Sequence, residues 1–105
     1  MKQYQIVVVN LAPTLGSEMS KTRPCLIVSP DEMNRHLNTI VIAPITSTSK
    51  PYPSRVQVDN GRYKGWVALD QIRTIAKERI VNTDGSVSDL EVAAIKRVFQ
   101  ETFVD

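Results

Sequence analysis

Three clusters of polar side chains stand at the ends of otherwise apolar runs: Glu18, Lys21 and Arg23, then Thr46, Ser47 and Thr48, then Asp70, Gln71 and Arg73. The first belongs to Gly16-Ser17-Glu18-Met19-Ser20-Lys21-Thr22-Arg23-Pro24, which runs straight into Cys25-Leu26-Ile27-Val28. A polar loop that delivers a carboxylate, a lysine and an arginine to the mouth of a buried strand is how small folds commonly present reactive groups on a rigid element. Nothing local forces the three clusters together, but polar ends of neighbouring strands in a small sheet often share one rim. A guanidinium beside hydroxyls and a carboxylate there would bind a phosphate bidentately and stabilise the charge that builds on it in a transition state. These residue types describe a phosphodiester site. The competing reading is a hairpin whose charges face water, with Arg23 paired to Glu18 or Asp70 and Asp70 serving as a structural acceptor.

With one histidine, His36, one cysteine, Cys25, and no carboxylates clustered at ligand spacing, neither a zinc site nor a two-metal site is evident. Gly16 stands alone, so no glycine loop cradles a phosphate, and no cofactor is expected. Cleavage of a phosphodiester would then draw its nucleophile from the substrate, and a ribose 2′-OH is the available one, which points to RNA. Cys25 lies in an apolar run far from His36 in the chain, which reads as a buried structural thiol.

The elements that must position these groups follow from the apolar pattern. Gln3 to Leu11, with Ile6-Val7-Val8-Val9 at its centre, reads as a strand buried on both faces. Arg23 to Ser29 makes a second strand, with Pro24 at its very start, and Thr39 to Ile45 a third that ends in hydroxyls. Ser29 to His36 is expected to be a loop with at most one helical turn. Lys50-Pro51-Tyr52-Pro53 breaks the pattern and should be mobile. Arg55 to Asp59 alternates, Gly65 to Asp70 is a fifth strand and Ile72 to Ile75 a short sixth, with Asn60-Gly61 and Asp84-Gly85 as turns. Tyr52 and Tyr63, among Lys50, Arg55, Arg62 and Lys64, could stack on bases but read better as solvated loops, and Trp66 reads as core. Ser88-Asp89-Leu90-Glu91 is a capping box, and Leu90, Ala93, Ala94, Val98 and Phe99 recur at helical spacing behind it. Five or six short strands and one amphipathic C-terminal helix make an α+β fold on a curled antiparallel sheet.

At 105 residues the chain is expected to form one domain, 1–105, burying about 60 to 65% of its unfolded surface, which favours a surface groove over a deep pocket. A net charge of +2 neither requires nor excludes RNA. A lone cysteine suits a reducing cytoplasm, and no run approaches the roughly 20 apolar residues of a membrane span.

Gly16-Ser17-Glu18, Thr22-Arg23-Pro24, Ala43-Pro44-Ile45-Thr46-Ser47 and Asp70-Gln71-Ile72-Arg73-Thr74-Ile75-Ala76-Lys77-Glu78-Arg79, in order over nearly the whole chain, resemble the MazF/PemK family of toxin–antitoxin endoribonucleases. The resemblance implies a small SH3-like antiparallel β-barrel that forms a homodimer, cuts single-stranded RNA at short sequences without metal and is blocked by a cognate antitoxin. DNA would be met only through the toxin–antitoxin complex. It implies that Arg23 and Thr46 are catalytic, that Glu18, with Ser17 and Lys21 around it, lies in the RNA-binding loop, and that Asp70 and Gln71, near Arg73, line the groove, as Ser47 does beside Thr46. Arg23 would hold the scissile phosphate and donate a proton to the departing 5′-oxygen, and Thr46 would position the phosphate or the 2′-OH. Glu18 and Asp70 both stand as candidates for the base. Some family members carry a basic residue and a histidine where this chain has Ala68 and Ser17, which favours the Arg23/Thr46 version. A related gyrase-binding toxin acts through a helix terminus bearing Trp, Gly and Ile, whereas this chain finishes Gln100-Glu101-Thr102-Phe103-Val104-Asp105. A barrel that has lost activity and serves as an antitoxin sink is a third reading, against which Arg23 and Thr46 stand.

Overall fold

The computed structural model describes residues 1–12 and 22–105, so Ser17, Glu18 and Lys21 lie outside the described residues. Its strands are β1 (Gln5–Asn10), β2 (Thr22–Ile27), β3 (Thr39–Thr46), β4 (Arg55–Asp59), β5 (Lys64–Ala68), β6 (Arg73–Ala76) and β7 (Ile80–Ser86). Two helices, α1 (Asp31–His36) and α2 (Asp89–Phe103), complete the described elements with short 3-10 turns at Leu69–Gln71 and Lys77–Arg79. All pairings are antiparallel, in the order β4-β5-β3-β2-β1-β7, and β6 joins β3 off that path. The result is the expected α+β fold, a barrel-like sheet with a C-terminal helix, but among the described residues its backbone ladder does not close.

The apolar runs explain the pairing. In β1, Ile6 points into one cluster with Leu26, Ile45, Val67 and Leu69, while Val7 and Val9 point into a second with Cys25, Ile27, Ile40 and Ile42. Both faces are buried, as an unbroken apolar strand requires. The long strand β3 binds β6 over Thr39–Ile42 and β5 over Ile45–Thr46. The exchange of partners falls on Ala43 and Pro44, where a proline that brings no N–H is tolerated.

Two expectations are corrected by the same reasoning. Pro24 lies inside β2, opposite Val8, and not at its start. Pairing with β3 begins only at Cys25, so the second edge of β2 is still open at Pro24. The Asp84-Gly85 signal marks a β-bulge inside a seventh strand and not a turn. Between the pairs Gln5↔Ser86 and Val7↔Thr83, one residue of β1 faces both Asp84 and Gly85, and Gly85 has a positive φ of 85°. Strand β7 is polar and largely exposed, which hides it from any test based on apolar alternation.

The capping box of α2 forms in both directions: Glu91 N–H donates to Ser88 Oγ at 3.2 Å and Ser88 N–H to Glu91 Oε1 at 2.9 Å. The other Glu91 oxygen accepts the backbone N–H of Asp59 at 2.7 Å, tying the first turn of α2 to the end of β4. With that tie the inward face is Val92, Ile95, Val98 and Phe99. Leu90, expected inside, is 85% exposed.

At Gly65 a Cβ would fall within van der Waals contact of the Thr46 carbonyl oxygen. Gly65→Ala should therefore destabilise the fold by about 1–3 kcal/mol through forced separation of β5 from β3. A lower urea midpoint at unchanged m-value checks this, and a wild-type midpoint would refute it.

Candidate functional site

Arg23 and Thr46 meet through strand register. The β2–β3 ladder pairs Ile27 with Ile42, Leu26 with Ala43 and Cys25 with Pro44. Continued by two residues, it brings Arg23 level with Thr46, and the period of two puts both side chains on one face. They open into a groove of about 570 Å³ that Ser47, Arg62, Tyr63 and Lys64 also line. That volume is in the range that accepts a nucleotide-sized group.

The groove's electrostatics are one-sided. Its lining contains Arg23, Arg62 and Lys64 and no carboxylate among the described residues. Arg23 is exposed at the open end of β2, and among the described residues its side chain has no ion pair or hydrogen bond. Thr46 Oγ1 is buried and lacks a hydrogen-bond partner among the described residues. A buried hydroxyl left unsatisfied costs about 1–3 kcal/mol, and it shares the groove with a guanidinium that is unpaired among the described residues. This arrangement offers one positive fork and one hydroxyl to an anion that enters the groove.

The third polar cluster lies elsewhere: Asp70, Gln71 and Arg73 are not among the groove's lining residues. Asp70 is the acceptor of a bidentate pair with Arg55, Nε to Oδ1 at 3.1 Å and Nη2 to Oδ2 at 3.2 Å, and it also accepts Ser54 Oγ at 3.0 Å. The Arg55 hydrogen bonds, helped by Ser54, hold its carboxyl below the usual carboxylate range. In this structure Asp70 thus accepts from Arg55 and Ser54, where the sequence offers Arg73 as its partner. Arg55 also donates to Ser49 Oγ at 2.9 Å and stacks over Tyr52 at 5.3 Å. The segment between Ser49 and Ser54, expected to be mobile, is bonded through this arginine, through Ser54 Oγ on Asp70 and through the Leu69 N–H that donates to the Ser54 carbonyl at 3.1 Å. Gln71 and Arg73 are exposed, with Arg73 opposite Ile42 on β6.

Arg62, Tyr63 and Lys64, which read as a solvated loop, also line the groove, with Arg62 and Lys64 exposed. The signal for them was the basic-aromatic run after Asn60-Gly61. The Asn60 side chain accepts the backbone N–H groups of Arg62 and Tyr63 at 3.0 and 2.8 Å, which folds the connection back over the sheet. Trp66, expected in the core, is half-buried and stands opposite Thr46 on β5.

Residues 2–103 match the family model described as PemK-like, MazF-like toxin of type II toxin-antitoxin system. The chain belongs to this family. Its relatives include Endoribonuclease EndoA of Bacillus subtilis, 33% identical over 88 residues that cover 78% of this chain and 76% of that protein. Endoribonuclease MazF of Staphylococcus saprophyticus is 28% identical over 101 residues, 90% of this chain and 84% of its own length. Among solved structures, a mycobacterial endoribonuclease in complex with its cognate antitoxin superposes with a TM-score of 0.83 at 24% identity, covering 96% of this chain and 92% of that one. A MazE-MazF complex from Deinococcus radiodurans gives 0.81 at 20% identity, covering 99% and 95%. At those identities the superpositions establish the shared fold. In this family member the Arg-Pro and Ala-Pro-Ile-Thr motifs, 23 residues apart by their Arg23 and Thr46, are the ones that fold brings into the groove.

Cys25 is enclosed in the second apolar cluster, and burial pushes its thiol up to about 12, with the charges of Arg23 and Arg73 opposing. At neutral pH the thiol is neutral and enclosed. Cys25 should not react with a thiol-specific disulfide reagent at pH 8 until denaturant is added. Because the folded pKa is raised, its contribution to stability is complete below the unfolded thiol's pKa of about 8.5 and declines as pH rises toward the folded value. Rapid labelling of the native protein at pH 8 would contradict the enclosure, and a urea midpoint that does not fall as pH rises above about 8.5 would contradict the pH dependence.

Proposed function

We propose that the chain is an endoribonuclease, the toxin of a type II toxin–antitoxin pair, which cleaves single-stranded RNA at short sequences by attack of the ribose 2′-OH. The observation that carries this reading is that Arg23 and the Thr46 hydroxyl, both without a side-chain partner among the described residues, line one groove with two further cations. The names of the relatives in Bacillus subtilis and Staphylococcus saprophyticus support the same activity.

In the proposed step the 2′-oxygen forms a bond to phosphorus and the bond from phosphorus to the 5′-oxygen breaks. The products are a 2′,3′-cyclic phosphate and a free 5′-hydroxyl. Arg23 binds the non-bridging oxygens bidentately and offsets the charge that grows on them. Thr46 donates to one of those oxygens or accepts from the 2′-OH, which satisfies its hydroxyl. A guanidinium keeps its protons throughout the accessible pH range, so water supplies the proton to the leaving 5′-oxygen and not Arg23. The proton released by the 2′-OH passes to a carboxylate. Asp70 is engaged by Arg55 and Ser54, which leaves Glu18 as the base we assign. No group of three or more His, Cys, Asp or Glu side chains that could hold a metal occurs among the described residues, and the proposed step uses none.

Two partners belong to the proposal. The cognate antitoxin would present an acidic segment to the basic groove, as charge complementarity favours. A second copy of the chain would cover the apolar groove of about 490 Å³ between α2 and the sheet, lined by Tyr4, Val28, Met33, Ile95, Phe99 and Val104. Sedimentation equilibrium should then give twice the monomer mass, and a monomer at micromolar concentration would remove the dimer.

For the activity, a long mixed-sequence RNA in excess EDTA should be cut at a recurring short sequence, leaving 5′-hydroxyl ends. Arg23→Ala should slow cleavage by about 10²–10³-fold, the usual loss for one charge-stabilising donor, with Thr46→Val and Glu18→Gln slowed as well. A 2′-deoxy substitution at the cut nucleotide should abolish the reaction. Cleavage of that deoxy substrate, or wild-type rates in Arg23→Ala, would overturn the mechanism.

A further inference from the structure

The strand path leaves β4 and β7 at its two ends, and side chains close the seam that the backbone leaves open. Asp84, in the bulge of β7, is the centre of the closure. Its side chain is 7% exposed and faces the connection between β4 and β5. Tyr63 Oη donates to Asp84 Oδ2 at 2.7 Å, Arg62 Nη1 lies 3.4 Å from Oδ1, and Asn82 Nδ2 lies 3.4 Å from both oxygens. Asn60 Nδ2 donates to the Asp84 backbone carbonyl at 3.3 Å. The bulge is what turns this carboxylate toward the hairpin, since an extra residue re-aims the side chains around it.

The residues held by this clasp are the ones that line the groove beside Arg23 and Thr46. Arg62 gives one N–H direction to Asp84 while its side chain is 68% exposed, so most of its five donors remain available. Its guanidinium also lies 5.9 Å over the Tyr63 ring, which limits its swing. Lys64, the first residue of β5, has no ion pair among the described residues. Three cations gathered in one concavity repel one another unless an anion occupies it. Arg23 and Thr46 have taken the reacting phosphate, so the two remaining cations face the strand on either side of it.

We propose that Arg62 and Lys64 bind backbone phosphates adjacent to the scissile one on the single-stranded RNA, and that Asp84 is a positioning residue that holds the hairpin in register over the groove. The proposal rests on the endoribonuclease reading of the same groove. It is tested separately by binding to a mixed-sequence single-stranded DNA 20-mer, which keeps the phosphates and lacks the attacking 2′-OH. Arg62→Ala and Lys64→Ala should each weaken that binding several-fold and reduce the slope of log affinity against log salt by about 0.7, and Arg62→Lys should restore most of the slope. Tyr63→Phe and Asp84→Ala should weaken binding in the same direction. Tyr63→Phe keeps the ring and serves where Asp84→Ala fails to fold. In RNA cleavage the same variants should raise KM while kcat holds, the opposite of Arg23→Ala; a purely structural role for the clasp would lower the melting temperature without that split. Wild-type affinity and salt slope in Arg62→Ala and Lys64→Ala, or no binding of the probe by the wild type, overturn the proposal. Wild-type binding and KM in Tyr63→Phe overturn the positioning role. A wild-type protein that binds the probe with these losses yet cuts no RNA sinks the nuclease reading and leaves this one standing.

Discussion

The register of β2 against β3 is the constraint on which the site depends. Antiparallel pairing of Cys25 with Pro44 is held from both sides by burial, with Leu26, Ile27, Ile42 and Ala43 enclosed in one or other of the two apolar clusters. A slip of one residue would turn every one of those side chains to the opposite face. Such a slip would also separate Arg23 from Thr46. The hydrophobic core therefore does more than stabilise the fold: it aligns two polar residues that have no bond to each other.

Arginines in this chain are sorted by what surrounds them. Arg55 is committed to Asp70 and the loop before it, Arg35 to Glu32, and Arg79 to the carbonyls of Asn10 and Ala12. Arg23 has no such partner among the described residues, and the hydroxyl beside it is buried without one. Leaving polar groups unsatisfied lowers stability unless a ligand completes them. That local deficit is the physical mark of a binding site, and it coincides with the part of the surface where cations outnumber acids.

The sheet departs from a closed barrel at one seam, and the departure has a use. A backbone ladder between β4 and β7 would fix the hairpin through hydrogen bonds that run along both strands. A side-chain clasp on Asp84 holds the same hairpin at its tip, where Arg62 and Lys64 enter the groove. Gly85 makes the clasp possible, because its positive φ is available to glycine at little cost. Gly65 has a comparable role on the other side of Thr46, where close approach of β5 leaves no room for a Cβ.

Local chemistry alone determined much of this protein. The apolar β-branched runs specified β1 to β3, Ser88 and Glu91 specified the start of α2, and four short motifs specified the family. These features are legible because they depend on neighbours a few residues away. Tertiary structure decided what depends on distant ones. Leu90 has the right spacing for the core, yet it is exposed in the first turn beside the Asp59–Glu91 bond, while Val98 is buried as its spacing requires and Ile95 joins it. Asp70 stands in a family motif, yet Arg55, fifteen residues away, engages its carboxylate. Strand β7 carries no apolar alternation and exists because β1 offers it an edge. Arg62 and Tyr63 meet Asp84, 22 and 21 residues further along the chain, and no local pattern could have joined them.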